Sequence, residues 1–352
     1  MKIIKCSLFS TLLLPAFSPY AYADTDLVQE IDFVSALPLK RVEPKYPIKE
    51  AKSGNDGWVQ LSYVVEANGS VSNVIVENSS GSSSFEKSAR RAVKKWKYEP
   101  ALENGEPVES CLNRVQLDFK MHTAPSKKFN NAYKQASLLA NEKTLTEFKV
   151  KIDELDKLTK NSNEVLFTEI LKAQHAEFNN DKKSQLKHYE NAIITGEHAL
   201  KDSFKISLYQ KLYSLYLHHN LFVKAYEFSD KIIDSNASEQ IKEKYKSHRL
   251  EIDNLVTSDK HISIDANIEN REHWGHSLVR NEFSITDIDG HLVKLEIRCA
   301  NKRSAYTIED NVSWKIPSSW QGCRVIVFGE DNTRFKLVEL AKETKNDLVA
   351  IK

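Results

Sequence analysis

The sequence predicts a multidomain chain with three modules of different class. They are an α+β module over residues 38–122, an all-α helical segment over 126–256 and an all-β, sandwich-like module over 260–352. Three observations carry this. Between residues 58 and 119, alternating stretches flank one stretch of helical period. Glycine nearly vanishes from 126–256, where Lys, Glu, Leu, Ala and Tyr dominate with helical spacing. After residue 260, short alternating runs are separated by turns. The length of 352 residues suits two or three domains at about 150 residues each.

In the first module, Trp58–Val65 alternates, with Val59, Leu61, Tyr63 and Val65 on one face. Asn68-Gly69 follows, a strong hairpin signal, and Val71–Val76 is the return strand. After a polar Ser/Gly stretch, Ser79–Ser84, Ser83-x-x-Glu86 reads as a capping box. In the helix it opens, Phe85, Ala89, Ala92, Val93 and Trp96 make one apolar stripe. Pro100 stops this helix, and Asn104-Gly105 is a turn. Cys111, Asn113, Val115, Leu117 and Phe119 share one face of a long last strand. The order is strand, strand, helix, strand. Cys111, on the core face, reads as a small buried hydrophobe.

In the middle segment, Ala173–Phe178 with Gln185–Ile193 reads as one helix pair, and Tyr209–Leu217 with Phe222–Ile233 as another. Tyr189-Glu190 with Ala192, and Tyr226-Glu227 with Ala225, suggest a repeat of tetratricopeptide type. An irregular bundle explains the same pattern.

In the last module, His261–Ile264, Phe283–Ile288, Leu292–Cys299, Ala305–Ile308, Ser313–Ile316, Arg324–Phe328 and Arg334–Leu340 read as short strands. Val293, Leu295, Ile297 and Cys299 share a face, as do Cys323, Val325 and Val327. Both cysteines therefore point inward from neighbouring strands, and a Cys299–Cys323 disulfide is expected. It would close a loop of about 25 residues, worth ~3–4 kcal/mol in the chain-entropy account. Trp314 reads as core beside it. Trp274 and Trp320 are open between core and a glycan-binding platform.

Residues 1–23 have the layout of a secretory signal peptide: Lys2 and Lys5, an apolar run from Cys6 to Phe17, and Ala21-Tyr22-Ala23 as cleavage site. As a helix the run spans ~18 Å against a hydrocarbon core of ~30 Å, short for an anchor. Residues 24–37 read as a linker. Cleavage would leave 48 Lys and Arg against 49 Asp and Glu. The cleaved chain would be neutral and lie outside the cytoplasm, which excludes a global field for nucleic acid. The four cysteines are too few for a disulfide scaffold.

The first module resembles the TonB C-terminal domain family. The resemblance runs through Glu43-Pro44-Lys45-Tyr46-Pro47, Gly57-x-Val59, Asn68-Gly69-x-Val71, Val74-x-Val76 and Ala89-x-x-Ala92-Val93. It closes with Lys95-Trp96-Lys97-Tyr98-x-Pro100-Ala101, Asn104-Gly105-x-Pro107-Val108 and Val115-x-Leu117-x-Phe119. It implies a domain that binds a short segment of outer-membrane receptors as an added strand. The docking edge would be Leu112–Phe119, with Val115, Leu117 and Phe119 toward the core. Leu112, Arg114, Gln116 and Asp118 would face peptide or solvent. Tyr46 and Pro47 match the family's opening motif, near the docked segment. Gly57 is read as letting the chain turn into its strand. Trp96 and Tyr98 would anchor helix to sheet. A full transducer of this family carries a membrane helix and a long proline-rich spacer. Here Asp24–Val42 holds one proline, Pro38, and reaches at most about 68 Å.

Other chemistry is sparse. His273-x-x-His276 could offer two metal ligands, but the reading is loop histidines and no metal site. Lys87, Arg90, Arg91, Lys94, Lys95 and Lys97 make a basic helix, read as a solvated face, with acidic receptor segments or lipid headgroups as secondary contacts. No G-x-S-x-G, H-E-x-x-H, P-loop or G-x-G-x-x-G occurs, so neither catalytic residues nor a cofactor is expected. The leading expectation is a periplasmic binding adaptor that docks an outer-membrane TonB-dependent receptor segment or another envelope protein. A homodimer through the free edge is a further possible partner. The alternatives are an energy transducer with a retained anchor, and a structural or glycan-binding envelope protein.

Overall fold

The computed structural model describes residues 32–121, 123–142, 144–309, 312–320 and 322–341. The expected signal peptide at 1–23 and most of the expected linker lie outside them. From Asp32 onward the chain forms one compact unit.

The first module holds β1 (Phe33–Val34), β2 (Leu37–Lys40), α1 (Ile48–Ser53), β3 (Gly57–Val65), β4 (Val71–Ser79), α2 (Ser83–Val93), β5 (Lys97–Glu99), β6 (Ala101–Glu103), β7 (Glu106–Val108) and β8 (Ser110–Phe119). An antiparallel sheet in the order β4-β3-β8 carries α2 on one face. That face holds Val59, Leu61, Tyr63 and Val65, packed with Phe85, Ala89, Val93 and Trp96. Helix α2 ends at Val93; after it, Trp96 meets Tyr63 edge-on at 5.8 Å, and the Tyr63 and Tyr98 hydroxyls are 2.7 Å apart, which pins the chain leaving the helix to the sheet. Gly69 turns the β3–β4 hairpin at φ 76°, and a Cβ there would stand 2.0 Å from Tyr98 O.

Four expectations are corrected here. The stretch read as a linker ends in strands: β1 pairs with β6, and β2 with β5. Both are too short for alternation to register. The cap of α2 is Ser82, which accepts from Ser84 N, one residue before the expected capping box. The Glu86 carboxylate instead accepts from Ser79 Oγ at 2.5 Å. Gly57 opens β3 without a positive φ, and its glycine is required by space rather than by a turn, since a Cβ would stand 2.3 Å from Phe85. Finally, His273 and His276 are not in a loop but on a strand, described below.

The middle segment is α3 (Lys127–Glu142), α4 (Leu145–Leu158), α5 (Ser162–Phe178), α6 (Lys182–Gly196), α7 (Asp202–His218), α8 (Phe222–Ile233) and α9 (Glu239–Val256). Successive helices pack as neighbours through short turns. The α5–α6 and α7–α8 turns are alike: Asn180 and Asn220 sit at φ 55° and 56°. Asp181 N and Leu221 N bond back to Ala176 O and Tyr216 O, both at 2.9 Å, the Schellman closure.

The last module is β9 (Ile262–Asn267), β10 (His273–Ser277), β11 (Glu282–Asp289), β12 (Leu292–Arg298), β13 (Arg303–Tyr306), β14 (Ser313–Lys315), β15 (Arg324–Gly329) and β16 (Arg334–Glu339). Two antiparallel sheets, β10-β15-β12-β13 and β14-β11-β16-β9, enclose an apolar core. The Cys299–Cys323 disulfide is formed. Trp314 is buried and stacks on Phe283 at 5.5 Å, while Trp274 and Trp320 pack partly buried against the same core. His276 is buried, its Nε2 2.9 Å from Glu339 Oε1. Strand β10 escaped the sequence because Gly275 and the two histidines break its apolar alternation.

Helices and sandwich share one apolar core. Arg280 donates to Val256 O, Leu255 O, Ser258 O and Lys260 O, capping the C-terminal end of α9. Among the described residues no helix is long and apolar enough to cross a membrane.

Candidate functional site

Strands β4 and β8 are the two edges of the first sheet, and they are treated differently. On β4, Arg271 donates from Nη1 to Val76 O at 2.8 Å, and Arg298 reaches Asn73 O at 3.4 Å. Asn73, at φ 44°, lies where the β3–β4 register shifts, so it bulges out of the ladder. Two guanidinium groups thus occupy carbonyls that an added strand would need. On β8, the one backbone bond to anything but β3, among the described residues, is Cys111 N–H to Ala300 O at 3.2 Å. Next to it, a Cβ on Gly322 would stand 3.6 Å from Leu112 Cδ1. The sandwich therefore closes the start of β8. From Asn113 to Phe119 no described strand pairs with its outer side.

The side chains of β8 divide by parity. Cys111, Leu117 and Phe119 are buried, and Val115 packs against the same core. Burial pushes the Cys111 thiol up to about 12, so it is inert at neutral pH. Arg114 and Asp118 are exposed. Gln116, expected to face peptide or solvent, is instead tied to a helix: its Nε2 donates to Ile194 O at 3.0 Å, and Gln60 Nε2 donates to its Oε1 at 3.2 Å. Trp58 Nε1 also reaches α6, donating to Thr195 Oγ1 at 2.9 Å. Asp56 accepts from Ser162 N at 3.0 Å at the start of α5. The second face of the sheet is therefore an interface.

Tyr46 and Pro47 brace the far end of β8. The Tyr46 ring meets Phe85 and Phe119 edge-on at 5.7 and 5.8 Å, and its hydroxyl donates to Asn55 O at 2.6 Å. Burial, with Asp56 nearby, pushes that hydroxyl up to about 12. Pro47 is the N-cap residue of α1.

Between this sheet face, helices α6–α8 and strands β10 and β15 lies a cleft of ≈ 910 Å³. Arg114, Gln116 and Asp118 line one wall; Glu190, Lys224 and Glu227 line the helical wall; Ser277 and Arg324 line the third. Burial acts to raise the Glu77 carboxyl, but Arg324 Nη2 at 2.7 Å and Ser62 Oγ at 2.6 Å outweigh it and hold it below its usual range. Burial raises Glu190, which accepts from Tyr216 OH at 2.8 Å. The cleft is thus polar, with charges of both signs. Sequence reasoning missed Gln60, Glu77, Arg271, Arg298 and Arg324. Gln60, Glu77, Arg298 and Arg324 are polar positions on β3, β4, β12 and β15 that read equally as a solvent face, and Arg271 precedes β10 outside any strand.

The family model described as the Gram-negative bacterial TonB protein C-terminal matches residues 42–121. Residues 42–121 are a TonB C-terminal domain. Over 79 residues the chain is 37% identical to Protein TonB of Xanthomonas campestris pv. campestris (strain B100), covering 22% of this chain and 35% of that protein. Over 79 residues it is also 37% identical to Protein tonB2 of Pseudomonas aeruginosa, covering 22% and 29%. Protein TonB of Vibrio cholerae is 31% identical over 86 residues, covering 24% and 35%. The chain thus spans about a third of the length of these curated relatives. The solution structure of the Pseudomonas aeruginosa TonB CTD aligns at 26% identity and a TM-score of 0.23, covering 26% of this chain and 90% of that one. The tonb2 protein of Vibrio anguillarum aligns at 30% identity and a TM-score of 0.21, covering 33% and 99%. The helical segment and the sandwich lie outside the TonB C-terminal domain.

Proposed function

We propose that the chain is a cell-envelope binding protein. Its TonB C-terminal domain takes up an extended segment of an outer-membrane receptor along β8, within TonB-dependent transport. One observation carries the reading: among the described residues the outer side of β8 is unpaired over Asn113–Phe119, while the other edge, β4, is occupied by Arg271 and Arg298. An edge strand offers N–H and C=O groups to a second strand; its backbone supplies affinity and alternate side chains select. Seven residues at ~3.3 Å each give an edge of about 23 Å, enough for a peptide of similar length. Side chains of the added strand on the cleft side would meet Arg114 and Asp118. The reading involves no catalytic step and no cofactor.

Successive residues of an antiparallel strand point their N–H groups to opposite sides. Of Val115→Pro and Gln116→Pro, therefore, one strikes the β3 ladder and the other strikes the open side. The expected result is one variant that loses cooperative unfolding, and one that keeps it but no longer binds synthetic receptor-segment peptides in calorimetry. A second arm leaves the protein intact: N-methylation of alternate peptide amides should abolish binding in one alternation only. A folded proline variant with unchanged affinity, or indifference to both methylation patterns, overturns the reading.

A further inference from the structure

We propose that the outer face of the TonB C-terminal domain, α2 together with the chain from Leu37 to Lys52 beside it, binds the surface of an anionic phospholipid membrane. This face is separate from the β8 edge, and the inference does not depend on peptide binding there.

The strip and the helix form one surface. Trp96 Nε1 donates to Val42 O at 2.9 Å, Ser88 Oγ to Lys45 O at 2.5 Å, and Ser82 Oγ to Glu50 Oε1 at 2.8 Å, so the strip is held along the length of α2. Helix α2 covers the sheet face opposite the cleft, so its exposed side looks away from the cleft, and only its start, with Glu50 and Ser82, adjoins Thr159 and Lys160 of the helical segment.

Its charge is one-sided. Lys45, Lys87, Arg91, Lys94, Lys95 and Lys97 are all exposed. Among the described residues none of them joins an ion pair. Four of the domain's acids are turned the other way: Glu66, Glu77, Glu103 and Glu109 pair with Arg303, Arg324, Lys302 and Arg303 of the sandwich. The fold neutralises the acidic side internally and leaves the basic side to solvent. Glu43 on the strip and Glu99, paired with Leu37 from β5, are exposed carboxylates, and Glu86 on α2 is half-buried; they reduce the charge without cancelling it.

Three aliphatic side chains decide between a membrane and a soluble polyanion. Leu37, Leu39 and Ile48 are 56%, 64% and 74% exposed on the strip. Leucine and isoleucine beside lysines suit a headgroup boundary, where apolar tips enter and amines stay with phosphates. A soluble polyanion would make no use of them.

The test uses the chain from Asp24 onward, which keeps the compact unit from Asp32 and removes the apolar run at 6–17. Sedimentation with phosphatidylcholine vesicles, with and without phosphatidylglycerol, reads partition at low and high salt. Binding is expected only with phosphatidylglycerol, and high salt should weaken it. Lys87→Glu with Arg91→Glu and Lys94→Glu should lower partition roughly tenfold or more. Leu37→Ser with Leu39→Ser and Ile48→Ser should lower it severalfold. Lys128→Glu with Lys134→Glu and Lys244→Glu, the same charge change placed on the helical segment, should leave it unchanged. The proposal is overturned by absence of binding to phosphatidylglycerol vesicles. It is also overturned if the two charge-reversed sets lose partition equally, or if the serine set binds as well as wild type, the mark of a soluble-polyanion site.

Discussion

Arg324 Nη2 and Glu77 Oε2 meet at 2.7 Å although 247 positions separate them. One belongs to the sandwich, the other to the TonB C-terminal domain, and their side chains are only 13% and 7% exposed. Gly275 makes the contact possible, since a Cβ there would stand 2.4 Å from Arg324 Nη2. This pair links two modules through a desolvated charge rather than through apolar surface.

Removing one partner of a buried pair strands the other, so Arg324→Ala should destabilise the chain by about 3 kcal/mol in urea unfolding. The folded Glu77 carboxyl is held below its usual 4.5, so its contribution is present above that pH and is lost as pH falls through the lowered folded value. Glu77→Gln should therefore flatten part of the acid limb of the stability profile. An Arg324→Ala variant as stable as wild type, or an acid limb unchanged in Glu77→Gln, would show that the pair is only a surface contact.

Gly57 is required by an aromatic ring. Phe85 is buried and lies 4.6 Å from Phe119, so its ring cannot yield to the Cβ that Gly57→Ala would introduce. Overpacking of this kind costs roughly 1–3 kcal/mol. Combining Gly57→Ala with Phe85→Leu should lose less than the sum of the single losses, because the second change makes room for the first. Strict additivity in urea unfolding would mean the two positions do not compete for space.

The Cys299–Cys323 bridge spans 24 positions and joins the ends of paired strands β12 and β15. Replacing both cysteines by serine should cost about 3–4 kcal/mol. Cys111 is buried and separate from this bridge, so it should stay unlabelled by iodoacetamide in the folded chain and label on unfolding alone, whereas Cys299 and Cys323 should need both unfolding and reduction. Labelling of Cys111 in the folded chain would contradict its burial.

The sequence by itself determined the strand–strand–helix–strand core of the first module, the helix pairs of the second and the cysteine bridge of the third. Each rests on local periodicity: Val59, Leu61, Tyr63 and Val65, or Val325 and Val327, avoid water whatever else the chain does. Only the tertiary structure decided where the polar faces go. Lys294, Glu296 and Arg298 alternate along β12 as on a solvent face, yet Arg298 is 1% exposed and bonds to Asn73 O. Gln60 and Ser62 likewise reach other modules through one intermediary: Gln60 bonds Gln116, which is tied to Ile194 O of α6, and Ser62 bonds Glu77, the partner of Arg324. The physical reason is that an apolar face has one favourable fate, burial. A polar face has two, water or a matched polar partner, and the matching residues lie far away in the chain. The same ambiguity hid which edge of the sheet is open, since β4 is occupied by arginines some 200 positions downstream, at separations of 195 and 225.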